Sequence, residues 1–254
     1  MEEEEVVQSV SPYSAAVSMG GTKPKEDRVM LAVEHVQQRH TWDCGLACVN
    51  MVLPPAARVK FSSQLYEICQ EEGFGKSTWS IDLAYLLQRF GIKHCYMTIT
   101  LGVDPGFSSE TFYDHVLHKD AQRVTERFRA AKDHGVVVQQ GTASINDILS
   151  HLYQEGPVIL LTNAHLLVCV KCVRGAMPQL RSCFPCTPPY QGHYVLLIGF
   201  DMKNSHIYYR NPSFGNRICT ISFAKLDKAR RSYGTDEDII FIYNYHPCEC
   251  LSPN

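Results

Sequence analysis

No stretch of this chain is apolar enough to span a bilayer. The longest apolar run, Pro157 to Val170, is interrupted by Asn163 and His165. We expect no secretory leader either: Met1 is followed by Glu2-Glu3-Glu4-Glu5, where such a leader needs positive charge. There is no glycine-rich phosphate loop, no internal repeat and no low-complexity core. An excess of one charge is also absent. The net charge of -2 at pH 7 gives nucleic acid or an anionic membrane no reason to bind. These absences lead us to expect a cytoplasmic protein that works on neither nucleic acid nor membrane.

Cysteine is what the chain has in plenty. Eleven cysteines occur in 254 residues. An odd number cannot close into a complete disulfide set, and a reducing compartment would keep thiols free. The sulfurs then serve catalysis, metal binding or burial. A composition of 45% hydrophobic and 20% charged residues is that of an ordinary globular chain.

The elements read in order as follows. Residues 1–27 form a disordered acidic tail, and Val29 to Val33 a short strand. Helices follow at Cys44 to Leu53, around Leu65 to Cys69, and at Ile81 to Phe90 behind Ser80. Ile92 to Thr100 is a strand, and Gln122 to His134 an amphipathic helix. A strand at Val136 to Val138, a helix capped by Ser144 and a buried strand at Val158 to Thr162 come next. The last elements are a hairpin at 193–211, a helix from Phe223 to Tyr233, and a strand at Ile239 to Tyr243. Residues 247–254 are a flexible tail. The fold class is α+β, with a helical first half packed on a mainly antiparallel sheet. A single domain, 28–246, carries a cysteine-rich insertion at 169–186.

The chemistry concentrates at Gln38-Arg39-His40-Thr41-Trp42-Asp43-Cys44-Gly45. Cys44 opens a helix, where unpaired backbone N–H groups and the helix dipole favour negative charge. That placement commonly lowers a thiol pKa from about 8.5. Gln38, six residues upstream, can aim an amide N–H at the same place. A thiol nucleophile also needs a base and a group to orient it. His193 and Asn211 become diagonal neighbours if Phe200 pairs with His206 in the hairpin, because side chains alternate along a strand. Asp201 has the same parity as His193 but lies roughly 26 Å along the strand, too far to orient it. The candidate set is therefore Cys44, His193, Asn211 and Gln38. Its plainer alternative is a core cysteine, a strand-end histidine and an Asn-Pro turn.

Two other groups stand out. Cys169-x-x-Cys172 and Cys183-x-x-Cys186 have the spacing of a four-thiolate structural zinc site. Loose surface thiols or redox pairs would use the same residues. Asp236 and Asp238 would share a face at a strand start and could hold Mg²⁺, although a solvated acidic turn is the simpler reading.

Gln38 to Met51, with Gly192-His193 through Pro212, resembles the double-glycine leader peptidases, a papain-like clan. Asn211-Pro212 here replaces that clan's Asp-Pro. A longer set is similar to the guanylyl cyclase domain-containing protein family. It comprises Trp42-Asp43-Cys44-Gly45-Leu46-Ala47-Cys48, Trp79-Ser80-Ile81-Asp82-Leu83, Asn211-Pro212 and Ser232 to Ile239. The first resemblance implies a papain-like fold and cysteine peptidase-like chemistry. The second implies guanylyl cyclase activity with Mg²⁺. A cyclase needs metal-holding carboxylates and a phosphate cradle, and only Asp236 and Asp238 answer to the first. The expectation is a hydrolase acting on a peptide or peptide-like acyl bond. Cys44 attacks, His193 is base and then acid, Asn211 orients it, and Gln38 binds the oxyanion. A guanylyl cyclase, or an inactive adaptor on the same fold, is the alternative.

Overall fold

The computed structural model describes residues 24–104, 117–170 and 190–246. Residues 1–23 of the tail expected at 1–27, all of the tail expected at 247–254, and most of the insertion at 169–186 lie outside the described residues.

Strands form where apolar residues run continuously, because both faces of the central sheet are covered. Within Val158–Asn163 (β4), Val158 and Leu160 face one layer and Ile159 and Leu161 the other. Gly192–Asp201 (β5) divides in the same way: Val195 and Leu197 on one side, Tyr194, Leu196 and Ile198 on the other. The remaining strands are Arg28–Met30 (β1), His94–Thr98 (β2), Val138–Gln140 (β3), His206–Arg210 (β6), Cys219–Ser222 (β7) and Ile239–Ile242 (β8). The sheet order is β3-β2-β8-β4-β5-β6-β7, with β1 pairing the far end of β5. Among the described strands, only the β2–β3 pair is parallel. The fold is thus α+β with a mostly antiparallel sheet.

On one face lie Cys44–Val52 (α1), Pro55–Ser63 (α2), Leu65–Glu71 (α3), Ser80–Arg89 (α4) and Leu117–Ala130 (α5). Ile145–Gln154 (α6) and Phe223–Arg230 (α7) cover the other. The division expected of a papain-like chain holds: the cysteine helix rests on the sheet whose strands carry His193 and lead to Asn211. Several elements differ from expectation: the helix expected at 122–134 runs Leu117–Ala130, and the strand expected at 136–138 runs Val138–Gln140. Pro54-Pro55 does not merely stop α1; Pro55 starts α2, since a missing N–H costs nothing in the first turn. β7 was not anticipated, because Cys219-Thr220-Ile221-Ser222 alternates over only four residues, too short a run to mark a strand.

The hairpin register is the detail that places the site. Near its turn the pairs are Asp201 with His206 and Phe200 with Ile207, one residue off the expected pairing. A bulge between Leu197 and Gly199 removes that residue, and the pairs become Leu197 with Tyr209 and Leu196 with Arg210. The expected register is therefore restored at the His193 end. Gly199, beside the bulge, lets β1 pair closely there: a Cβ would lie 2.2 Å from the carbonyl oxygen of Val29 in β1.

Candidate active site

The turn leading into α1 is tied by Asp43. Its buried carboxylate accepts the backbone N–H groups of Arg39 at 3.0 Å and His40 at 2.9 Å. Its own carbonyl accepts the first helical bond, from Ala47 N–H at 2.9 Å. This fixes where the next residue, Cys44, leaves the turn. Gly45 lets α1 approach closely, since a Cβ there would lie 2.8 Å from Leu83 and 3.0 Å from the Tyr194 ring.

The Cys44 sulfur is buried and meets the backbone N–H groups of Tyr194 and Gly45. Tyr194 directly follows His193 on β5, so the Cys44 sulfur lies against the neighbour of the expected base. The thiol pKa is not lowered as expected. Burial pushes it up, the N–H groups of Tyr194 and Gly45 offset part of that, and the Asp43 charge adds to the rise. The helix terminus is present, but desolvation outweighs it.

His193 and Asn211 meet as the restored register requires, Nε2 to Oδ1 at 2.9 Å. The same oxygen accepts the backbone N–H of Ser213 at 3.0 Å. Ser213 N–H can only donate, which fixes the orientation of the Asn211 amide. His193 Nε2 must then carry hydrogen, and in the neutral ring Nδ1 keeps its lone pair. Burial lowers the His193 pKa, with the Asn211 bond acting the other way. The ring is therefore held neutral, able to take a proton through Nδ1.

Gln38 is fastened to the same turn. Its backbone N–H donates to Pro212 O at 3.0 Å, and its Oε1 accepts Ser213 Oγ–H at 2.8 Å. One hydrogen of Nε2 goes to His40 O at 2.6 Å, and the other remains for a ligand. Gln38 and Cys44 line different cavities. Gln38 and Ser213 border a cleft of about 1150 Å³; Cys44 borders one of about 350 Å³. The two adjoin at Thr41, Trp42 and Lys76.

Asp236 and Asp238 line the Cys44 cavity, which corrects the reading of a solvated turn. Asp236 Oδ1 accepts Thr100 Oγ1–H at 2.9 Å, and Asp238 Oδ1 accepts Tyr96 O–H at 2.8 Å. Burial raises both, Asp236 to about 7 and Asp238 to about 6, with mutual repulsion adding to Asp236. Asp236 and Glu237 have φ of 48° and 52°, an uncommon backbone for residues other than glycine. Glu237 anchors this turn from outside, reaching Thr142, Arg230 and Arg231.

The guanylylate cyclase profile matches residues 33–242. Guanylyl cyclase 1 of Arabidopsis thaliana is 37% identical over 212 residues, which cover 83% of this chain and 75% of that protein. This chain belongs to the guanylylate cyclase family. Among solved structures, it is similar to a putative C39-like peptidase from Bacillus anthracis. Identity there is 16%, the TM-score 0.47, and coverage 85% of this chain and 98% of that one. It is also similar to xylellain, a cysteine protease from Xylella fastidiosa, with 14% identity, a TM-score of 0.44, and coverage of 89% and 91%.

This family member offers no group of three metal-ligating side chains among the described residues. Of the expected zinc ligands, Cys172, Cys183 and Cys186 lie outside those residues. Cys169 is buried beside β7, where its sulfur accepts Thr220 N–H at 3.4 Å. No helix among the described residues is long and apolar enough to cross a membrane. The expectations passed over Asp43, Ser80, Tyr194 and Ser213. Asp43 had a readable signal, an acidic residue directly before a helix start. The other three act through tertiary contacts that leave none.

Proposed function

We propose that this chain is a thiol hydrolase acting on a peptide or peptide-like acyl bond. The observation that carries the reading is the His193–Asn211 contact. With Ser213 fixing the amide, it leaves Nδ1 as the basic nitrogen of a neutral imidazole. Both partners rest uncharged, so proton transfer accompanies attack rather than preceding it. The Cys44 S–H proton passes to His193 Nδ1 as sulfur bonds to the acyl carbon, whose oxygen becomes the oxyanion. Gln38 Nε2–H donates to that oxygen. Collapse breaks the bond to the leaving amine, which takes the proton from Nδ1. Water, deprotonated by the same nitrogen, then attacks the thioester and frees Cys44.

The test is labelling of Cys44 by a peptidyl vinyl sulfone, read on its tryptic peptide. Labelling in the wild type that disappears in His193→Ala supports the hydrolase; equal labelling in both rejects it.

A second reading, guanylyl cyclase, is favoured by the family and by the two carboxylates lining the Cys44 cavity. The fit to Mg²⁺ is poor. The described residues supply two carboxylates, each already accepting hydrogen bonds and each raised toward its neutral form. Metal-dependent formation of cGMP from GTP that survives Cys44→Ala would establish this reading over the first.

A further inference from the structure

We infer that Tyr194 is a positioning residue for the Cys44 sulfur, held in place by the Ser80 hydroxyl and the Asp238 carboxylate. The inference rests on the hydrolase reading, in which Cys44 is the nucleophile.

Tyr194 touches the nucleophile's turn in two ways. Its backbone N–H meets the Cys44 sulfur, and its ring packs where a Cβ on Gly45 would stand, at 3.0 Å. Any shift of Tyr194 therefore moves both a donor to the sulfur and the surface on which α1 rests. Its hydroxyl lies 2.7 Å from Ser80 Oγ, the first residue of α4. Ser80 also bonds to Asp238, which takes the Tyr96 hydroxyl on its Oδ1.

The direction of this chain follows from what each group can do. An ionised carboxylate only accepts, so Ser80 O–H points to Asp238 and the Ser80 oxygen receives Tyr194 O–H. The members are buried: Ser80 is 2% exposed, Tyr96 2%, Tyr194 7% and Asp238 8%. No ion pair reaches Asp238 among the described residues. A carboxylate buried on hydroxyl donors alone is an expensive way to pack a core, where phenylalanine and alanine would serve. Its position explains the expense, since Ser80, Tyr194 and Asp238 all line the cavity that Cys44 opens into.

The experiment measures the second-order rate of Cys44 carbamidomethylation by iodoacetamide between pH 5.5 and 9, resolved by peptide, with Cys69 as internal reference. Charged or titratable groups around the sulfur and the chain are Asp43, Cys48, Lys76, Tyr96, Asp236 and Asp238, with His193 next to Tyr194 on β5. All are present in every variant except the His193 control. Tyr194→Phe and Ser80→Ala should each displace the Cys44 pH–rate profile to higher pH. A displacement of one unit lowers the rate at pH 7 about tenfold. Ser80→Thr should restore the profile, and Cys69 should be unchanged throughout. A merely structural loss would lower the melting temperature without moving one thiol's profile selectively. Superimposable Cys44 profiles in wild type and Tyr194→Phe overturn the inference, as does an equal change at Cys69. His193→Ala keeps the two proposals apart. A His193-dependent Cys44 rate with no Tyr194 effect rejects only this one, while a rate independent of His193 rejects the hydrolase and this inference with it.

Discussion

His193 Nε2 and Ser213 N–H converge on one oxygen, Oδ1 of Asn211, at 2.9 and 3.0 Å. In Asn211→Ala the ring loses the partner that selects its tautomer. Cys44 alkylation at pH 7 should fall by about ten- to a hundredfold, less than the 10²–10⁴ a general base contributes. Asn211→Asp keeps the acceptor and adds a charge, so it should retain alkylation and raise the His193 pKa, which imidazole NMR titration reads directly.

Asp43 does two opposed things. It binds the N–H groups of Arg39 and His40, and its charge raises the thiol pKa of Cys44. Asp43→Asn removes the charge and one of the two acceptors. The alkylation profile of Cys44 should move to lower pH while the fold loses about 1–3 kcal/mol, the cost of an unsatisfied buried donor. A profile moving to higher pH would contradict the arrangement.

His151 sits between the rings of Phe241 and Tyr243 and contacts Ile242 O at 2.8 Å. Burial pushes its pKa down to about 4, below the unfolded value of about 6.5. The unfolded chain therefore binds the proton more readily. The contribution is complete above about pH 6.5 and lost as pH falls toward 4, roughly 3 kcal/mol in all. Urea unfolding at a series of pH values should show this acid loss in wild type and a shallower one in His151→Gln.

Asp236 behaves in the opposite sense. Its folded pKa of about 7 lies above the ordinary carboxylate range, so its ionisation penalises the fold as pH rises. Asp236→Asn keeps an acceptor for Thr100 and removes that penalty. The variant should gain stability over wild type from about pH 4 upward, on the order of a few kcal/mol, and level off above about pH 7. A gain that shrinks with rising pH would show that the carboxylate is charged and compensated.

Zinc is checked by elemental analysis of protein purified without added metal. One equivalent per chain is expected in the wild type, falling in Cys183→Ser as a tetrahedral thiolate site loses a ligand.

The helices α1, α4 and α6 and the strands β4, β5 and β8 were legible because each carries a long periodic or continuous apolar pattern. The pairing of His193 with Asn211 was legible too, through alternation along a hairpin. The bulge at Gly199 was not, although it decides whether that pairing survives the actual turn. Gly199 there lies against β1, more than 160 residues earlier, and local pattern cannot register such a contact. The Cys44 pKa failed for a related reason: a helix start is written in sequence, while the depth at which it is buried is a property of the whole packing. The Asp236–Asp238 turn was misjudged because the hydroxyls that receive it come from two distant segments, Ser80 at the start of α4 and Tyr96, Thr98 and Thr100 along and just beyond β2.

The strand nearest the carboxyl end, β8, is inserted between β2 and β4 rather than added at an edge. A ribosome-bound chain missing its final segment has two half-sheets, each with an open hydrogen-bonding row. Neither can join the other until residues 239–242 leave the exit tunnel. Assembly of the full sheet therefore waits for residues 239–242, and a chain cut before Ile239 should be a client for chaperones and proteases rather than a shorter working molecule.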